Sequence, residues 1–226
     1  MKKIVIALIF LSAFNYVHAQ LKLPNLFGNH MVLQQDTTVQ LWGWANPDEE
    51  VSIKADWQHE KMTVKADAKG AWTAKINTLK ADFKPHSLAF STDTTILIND
   101  ILFGEVWLCG GQSNMAFTIK RVPGSGSYTG EIHADKVLPE ARHPNLRFIT
   151  VKRKVADEPL DDIEADWKVC TPETAAGDIS AVSYFFALQI MEKTGLPVGL
   201  IGSNWGGTPA ESWTKRAVLE GDPDFR

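Results

Sequence analysis

The sequence predicts a β-sandwich of antiparallel strands followed by an α/β three-layer domain. Three observations carry this. Short alternating apolar segments separated by turn clusters fill the stretch from Leu21 to about Thr95. A single apolar strand then ends abruptly in the paired glycines Gly110-Gly111. Beyond it, helix, strand, glycine-rich turn and helix alternate, the order that builds a parallel sheet.

Met1-Lys2-Lys3, the apolar run from Ile4 to Phe14 and the small-residue site Val17-His18-Ala19 are the three parts of a secretory leader, with cleavage expected after Ala19. That predicts an exported protein, periplasmic or extracellular. The run is too short to span a bilayer, and no later segment approaches the roughly 18 uninterrupted apolar residues a span needs. Without Lys2 and Lys3, 21 of the 23 basic residues remain against 27 acidic ones, a net charge of −6 instead of −4. Mild acidity of this kind argues against a nucleic-acid or anionic-membrane partner.

The six expected sandwich strands are Met31 to Gln34, Val39 to Trp44, Glu50 to Ala55, Lys61 to Ala66, Ala71 to Ile76 and Ser87 to Ser91. Gly28-Asn29, Asn46-Pro47-Asp48 and Asp67-Ala68-Lys69-Gly70 supply the turns between them. Trp42, Trp44, Trp57 and Trp72 are expected to fill the core, although an exposed row of them would make a sugar-stacking platform. Thr95 to Ile101 reads as the connection to the second domain, with a turn at Asn99-Asp100, so the domains divide as 20–100 and 101–226.

Gly104 to Met115, GEVWLCGGQSNM, reads as a strand, a tight turn and the start of a helix over Met115 to Ile119. Trp107 and Leu108 are expected to be buried in that central strand. Ser113 falls at the turn, where its hydroxyl is lifted off the sheet and its N–H faces a developing oxyanion, so it is the candidate nucleophile. Helix capping by Ser113 or Asn114 is the plainer alternative. Pro123 to Gly130 has glycines but no phosphate-loop spacing, and is expected to be a mobile loop beside the site, with a plain solvent loop as the alternative.

Leu146 to Val151 is an expected strand, and Lys152 to Asp166 a charged crossing. Its acids lack the ordered spacing around a glycine turn that a hard-metal loop needs, so a solvated face is expected and no metal or other cofactor. Ser180 opens a helix with an apolar stripe of Ala181, Tyr184, Phe185, Leu188 and Met191, ended by Gly195. Val198 to Ile201 is a short strand, and a helix is expected over Ala210 to Leu219. The intervening Gly206-Gly207 turn would present N–H groups to a ligand at the same sheet end as Ser113. Cys109 and Cys170 lie in strand-like apolar surroundings, which favours two free thiols over a disulfide.

Three blocks together resemble the sialate O-acetylesterase-like carbohydrate esterases of the SGNH hydrolase superfamily. They are Asn25 to Gln34 with Trp42 to Ala45, then GEVWLCGGQSNM, then Ser180 to Trp213 with Asn-Trp-Gly-Gly-Thr-Pro-Ala-Glu-Ser-Trp. The resemblance spans nearly the whole mature sequence. It implies an SGNH, flavodoxin-like hydrolase domain, a Ser113 nucleophile and deacetylation of O-acetyl sugars, sialate first, without a metal. It also implies an oxyanion hole built from the N–H of Ser113 and a glycine, Gly206 or Gly207, with Asn204 a weaker side-chain donor. Acetylated xylan or another glycan is the second substrate class. The family's Gln-Gly-Glu and Asp-x-x-His blocks have no counterpart after Ser113, so an incomplete hydrolase domain, inactive by itself, is expected. Asp56-Trp57-Gln58-His59 precedes the nucleophile and reads as a chance match, and His133 and His143 are weak candidates for the base. A function of another class, non-catalytic glycan binding through the tryptophans, would require those indoles to be exposed.

Overall fold

A computed structural model describes residues 20–121, 130–177 and 179–225. The expected leader over 1–19, most of the glycine-rich stretch from Pro123, and Arg226 lie outside the described residues. The strands are β1 (Val32–Gln34), β2 (Thr38–Trp44), β3 (Glu50–Ala55), β4 (Met62–Lys65), β5 (Ala71–Asn77), β6 (His86–Ser91), β7 (Thr95–Gly111), β8 (His143–Thr150), β9 (Trp167–Cys170) and β10 (Val198–Asn204). The helices are α1 (Ala134–Glu140), α2 (Pro172–Ala175), α3 (Ala181–Thr194) and α4 (Arg216–Gly221), with a 3₁₀ turn at Ala210–Trp213.

One mixed sheet runs β4-β3-β6-β7-β10-β8-β9, with β1 alongside β7, and β2 and β5 form a separate antiparallel pair. Alternation decides which side chains meet. Leu41 on β2 and Trp72, Ala74 and Ile76 on β5 pack with Val51, Ile53, Leu88, Phe90, Ile98 and Ile101 of the large sheet in one buried core. A second core joins Cys109, Leu146, Phe148, Val198 and Leu200 to Ala181, Tyr184 and Ala187 of α3 and to Ala175 of α2.

The long strand β7 belongs to both cores. Its first part pairs antiparallel with β6, and its last seven residues pair in parallel with β10, Glu105 opposite Val198 and Gly111 opposite Asn204. No linker intervenes. The turn expected at Asn99-Asp100 is instead a bulge inside this strand. Ile98 faces Leu88 and Ile101 faces His86, so β7 carries one residue more than β6, and Asp100 takes φ of 56°. Asn and Asp tolerate the left-handed conformation that a turn and a bulge both use, and the sequence signal is the same for either.

Arg147 of β8, only 5% exposed, donates to Asp100 through Nη1 at 2.6 Å and Nη2 at 3.3 Å, and to the Pro144 carbonyl through Nε at 2.6 Å. His30 Nδ1 adds a 2.6 Å contact to the same carboxylate. Burial alone would raise Asp100, but the hydrogen bonds from Arg147 and His30 outweigh it and hold the carboxyl below its usual range.

Several expectations are corrected. The segment after Ser113 is not a helix. Ala116 N–H bonds to Gln112 O at 2.9 Å in a single turn, and Thr118 then bridges Ser180: Phe117 O accepts the first N–H of α3, at Ala181, and Ile119 O accepts from Glu131. The β-branched Thr118 suits that bridge better than a helix. Trp107 and Leu108 are not buried, at 41% and 73% exposure. Trp107 faces α3, where its ring meets Phe186 edge-on at 5.0 Å, and Leu108 points to the opposite face. Beyond Gly104 one edge of β7 loses its neighbour β1, whose pairing ends at Gln34, so little covers that part of the strand. Phe185, expected in the core stripe, is 39% exposed.

The helix expected from Ala210 to Leu219 is broken at Thr214, which is extended and bonds its hydroxyl back to the Ala210 carbonyl. The three-layer expectation holds for one face only among the described residues. Helices α1 to α3 cover one side of the parallel strands, whereas Ile149, Ile201 and Trp167 on the other side pack into the N-terminal core, with the Trp167 indole bonded to Leu26 O at 2.8 Å. The sequence-predicted caps of α3 are present: Ser180 accepts from Ser183 N–H, and Gly195 takes φ of 69°.

Candidate functional site

Two neighbouring parallel strands, β7 and β10, end in register at Gly111 and Asn204, and the loops that follow them touch. Gly111 turns the chain with φ of 146°, a value L residues rarely adopt, and a Cβ there would press on Met115 Cγ at 2.8 Å. Trp205 N–H donates to Gly111 O at 3.0 Å, and Gln112 Nε2 donates to Thr208 O at 2.5 Å. These bonds seat the 205–208 turn on the 111–113 loop. Gly206 comes so close that a Cβ on it would lie 3.4 Å from Ser113 Cα. A larger side chain would therefore occupy the space over the serine.

Ser113 is exposed, and its hydroxyl donates a 3.3 Å bond to Gln112 Oε1. The backbone N–H groups of Ser113, Gly206 and Gly207 have no acceptor among the described residues. Donors left unpaired beside an exposed hydroxyl are the raw material of an oxyanion hole. Because a single turn follows Ser113, the donor strength there comes from individual N–H groups and not from a helix dipole. Asn204 closes β10 with its side-chain amide nitrogen near Gly202.

No histidine hydrogen-bonds to Ser113 among the described residues. His30 is held by Asp100, and His86 bridges Asp56 at 2.9 Å and Asp82 at 3.2 Å. His143 meets Tyr184 Oη at 3.1 Å, and burial lowers its pKa. His133 precedes α1, its N–H bonded to Glu131. A base for the serine is thus not assembled from these residues.

The four N-terminal tryptophans do not form an exposed row. Trp72 is 2% exposed, Trp42 packs edge-on to Phe27 at 4.7 Å, Trp44 lies under the Lys22 ammonium, and Trp57 bonds Asn77 O through its indole N–H. Both thiols are free and buried, and burial pushes Cys170 up to about 12. In the acidic crossing, Asp162 is tied down and not merely solvated. It accepts from the Asn25 and Ile163 N–H groups and pairs with Lys22 at 3.1 Å.

Two residues that hold the site together lie inside the resembling blocks, but nothing local to them signals this role. The role of Gln112 depends on a partner 96 residues away, and Trp213 reaches back with its indole N–H to Thr208 Oγ1 at 2.8 Å.

No family model matches the sequence. The chain is 30% identical to the sialate O-acetylesterase of Mus musculus over 88% of its own length and 38% of that protein. With the sialate O-acetylesterase of Homo sapiens the identity is 28%, covering 88% of this chain and 40% of the relative. The crystal structure of a carbohydrate acetylesterase from Xanthomonas citri superposes with a TM-score of 0.79 at 31% identity, covering 92% of this chain and 45% of that one. The chain therefore spans about two fifths of the curated relatives it matches, and over 88% of its own length it is similar to sialate O-acetylesterases.

Proposed function

We propose that this chain carries the nucleophile and oxyanion part of a serine esterase that removes O-acetyl groups from sugars, with O-acetylated sialic acid as the favoured substrate. The observation that carries it is the seating of Gly206 on Ser113 beside unpaired N–H groups. In this reading Ser113 Oγ attacks the acetyl carbonyl, and the N–H groups of Ser113 and of Gly206 or Gly207 take the charge on the tetrahedral oxygen. The sugar hydroxyl leaves with the proton, and water then releases acetate from the acetyl-enzyme. Residues 20–100 would be a β-sandwich and 101–226 the first part of an SGNH-type α/β domain. The base and its carboxylate come from polypeptide other than the described residues. Export through the 1–19 leader belongs to the same proposal.

The test joins this chain to a segment bearing an Asp-x-x-His base and measures acetate release from an O-acetylated sialic acid. Activity that falls to background in Ser113→Ala is expected. Equal activity in Ser113→Ala would overturn the nucleophile assignment, and faster turnover of acetylated xylan would overturn the substrate.

A further inference from the structure

A cavity at the carboxyl ends of β8 and β10 has a charge pattern that the serine chemistry does not use. Its volume is about 220 Å³. Lys152, Arg153 and Lys154 wall one side, and Asn204, Trp205 and Trp213 the other, with no carboxylate in its lining. The two lysines share Glu164 as a partner, at 3.4 and 3.9 Å. Arg153 differs. Its Nε donates to Asn204 O at 3.3 Å, and no carboxylate pairs with it among the described residues, which leaves both terminal nitrogens to bind a ligand. A planar guanidinium held at Nε is suited to grip a carboxylate through two parallel hydrogen bonds.

Arg153 is anchored close to the serine. Asn204 and Gly206 are two residues apart, at most about 7 Å along the chain, and Gly206 lies against Ser113. That is the scale of one monosaccharide. We infer that this cavity is an anion subsite in which Arg153 takes the carboxylate of an acidic sugar whose acetyl ester lies on Ser113. Trp205 and Trp213 offer ring surface to the apolar side of the sugar. The adjoining groove, about 700 Å³, is a poorer host because Asp157, Glu158, Asp162 and Glu164 outnumber the cations Lys152, Lys154 and Arg216 in its wall. On a chain with a formal charge of −4, a cationic cavity is a local exception that attracts a carboxylate to one place.

The inference rests on the esterase reading of the same site, but binding tests it without turnover. The chain is titrated with N-acetylneuraminic acid and, separately, with its methyl ester, by calorimetry or NMR. The acid is expected to bind more tightly than the ester, and Arg153→Gln to weaken the acid about 10- to 100-fold while leaving the ester unchanged. Arg153→Lys, which keeps the charge without the fork, should restore part of the difference. Equal binding of acid and ester, equal loss of both in Arg153→Gln, or no binding of the acid would each overturn the subsite. Ser113→Ala should leave the binding intact, so failure of the nucleophile assignment would register only in the acetate-release assay.

Discussion

Asp100→Asn is the perturbation that most directly probes how the two cores are joined. Asp100 sits on the β7 bulge with φ of 56°, and Asn accepts that conformation, so the substitution removes charge without adding backbone strain. What remains is the Arg147 guanidinium, its side chain 7% exposed, facing a neutral amide. Breaking a buried ion pair from one side costs about 3 to 5 kcal/mol. Asp100 is about one third exposed and Arg147 keeps its bond to Pro144 O, so the expected loss is about 2 to 3 kcal/mol. For a chain of this size that lowers Tm by about 5 to 10 °C. Arg147→Met, which removes the buried cation itself, should cost less than Asp100→Asn, and the double variant should match Arg147→Met alone.

The same pair predicts a pH dependence. Because the folded carboxyl of Asp100 titrates below its unfolded counterpart, its contribution is complete above the ordinary carboxylate range. It is lost as pH falls through the folded value. The assay is urea unfolding followed by tryptophan fluorescence at neutral pH and in steps down to pH 3. An Asp100→Asn unfolding free energy within about 0.5 kcal/mol of wild type, at unchanged m, would refute the reasoning.

Two further predictions follow from buried backbone and buried thiols. A Cβ at Gly104 would collide with the Pro197 carbonyl where β7 passes from β1 to β10, so Gly104→Ala should destabilise by about 1 to 3 kcal/mol or more. A stability equal to wild type in urea would show that Pro197 can retreat freely. Cys109 and Cys170 are buried with thiols raised by burial, so both should resist a disulfide reagent in the native protein and react together only on unfolding. Rapid native labelling of either would contradict their packing.

Local chemistry made the strands legible and long-range coverage did not. The six N-terminal strands and α3 follow from period, turn residues and caps, which act within a few residues. Trp107 and Leu108 lie in an apolar run that reads as buried on both faces, yet their exposure is set by what neighbours that end of β7. The stretch after Ser113 has a helix-like composition, but its carbonyls bond the start of α3 and Glu131. Those partners are remote in sequence. Ser113 and the Gly206-Gly207 turn, with their place at one sheet end, are readable from their motifs, while the choice of Gly206 over Gly207 as the residue against the serine, the Gln112 bond to Thr208 and the place of Arg153 beside Asn204 arise only when β7, β10 and β8 lie side by side.

The most direct test of the central claim is to trap the acyl-enzyme. The chain, joined to a segment that supplies an Asp-x-x-His base, is mixed with 4-nitrophenyl acetate, quenched in acid and digested for peptide mass spectrometry. One acetyl group on Ser113, absent from the Ser113→Ala variant, is the predicted result. Turnover that proceeds with the acetyl group on another residue, or with none on Ser113, would contradict it.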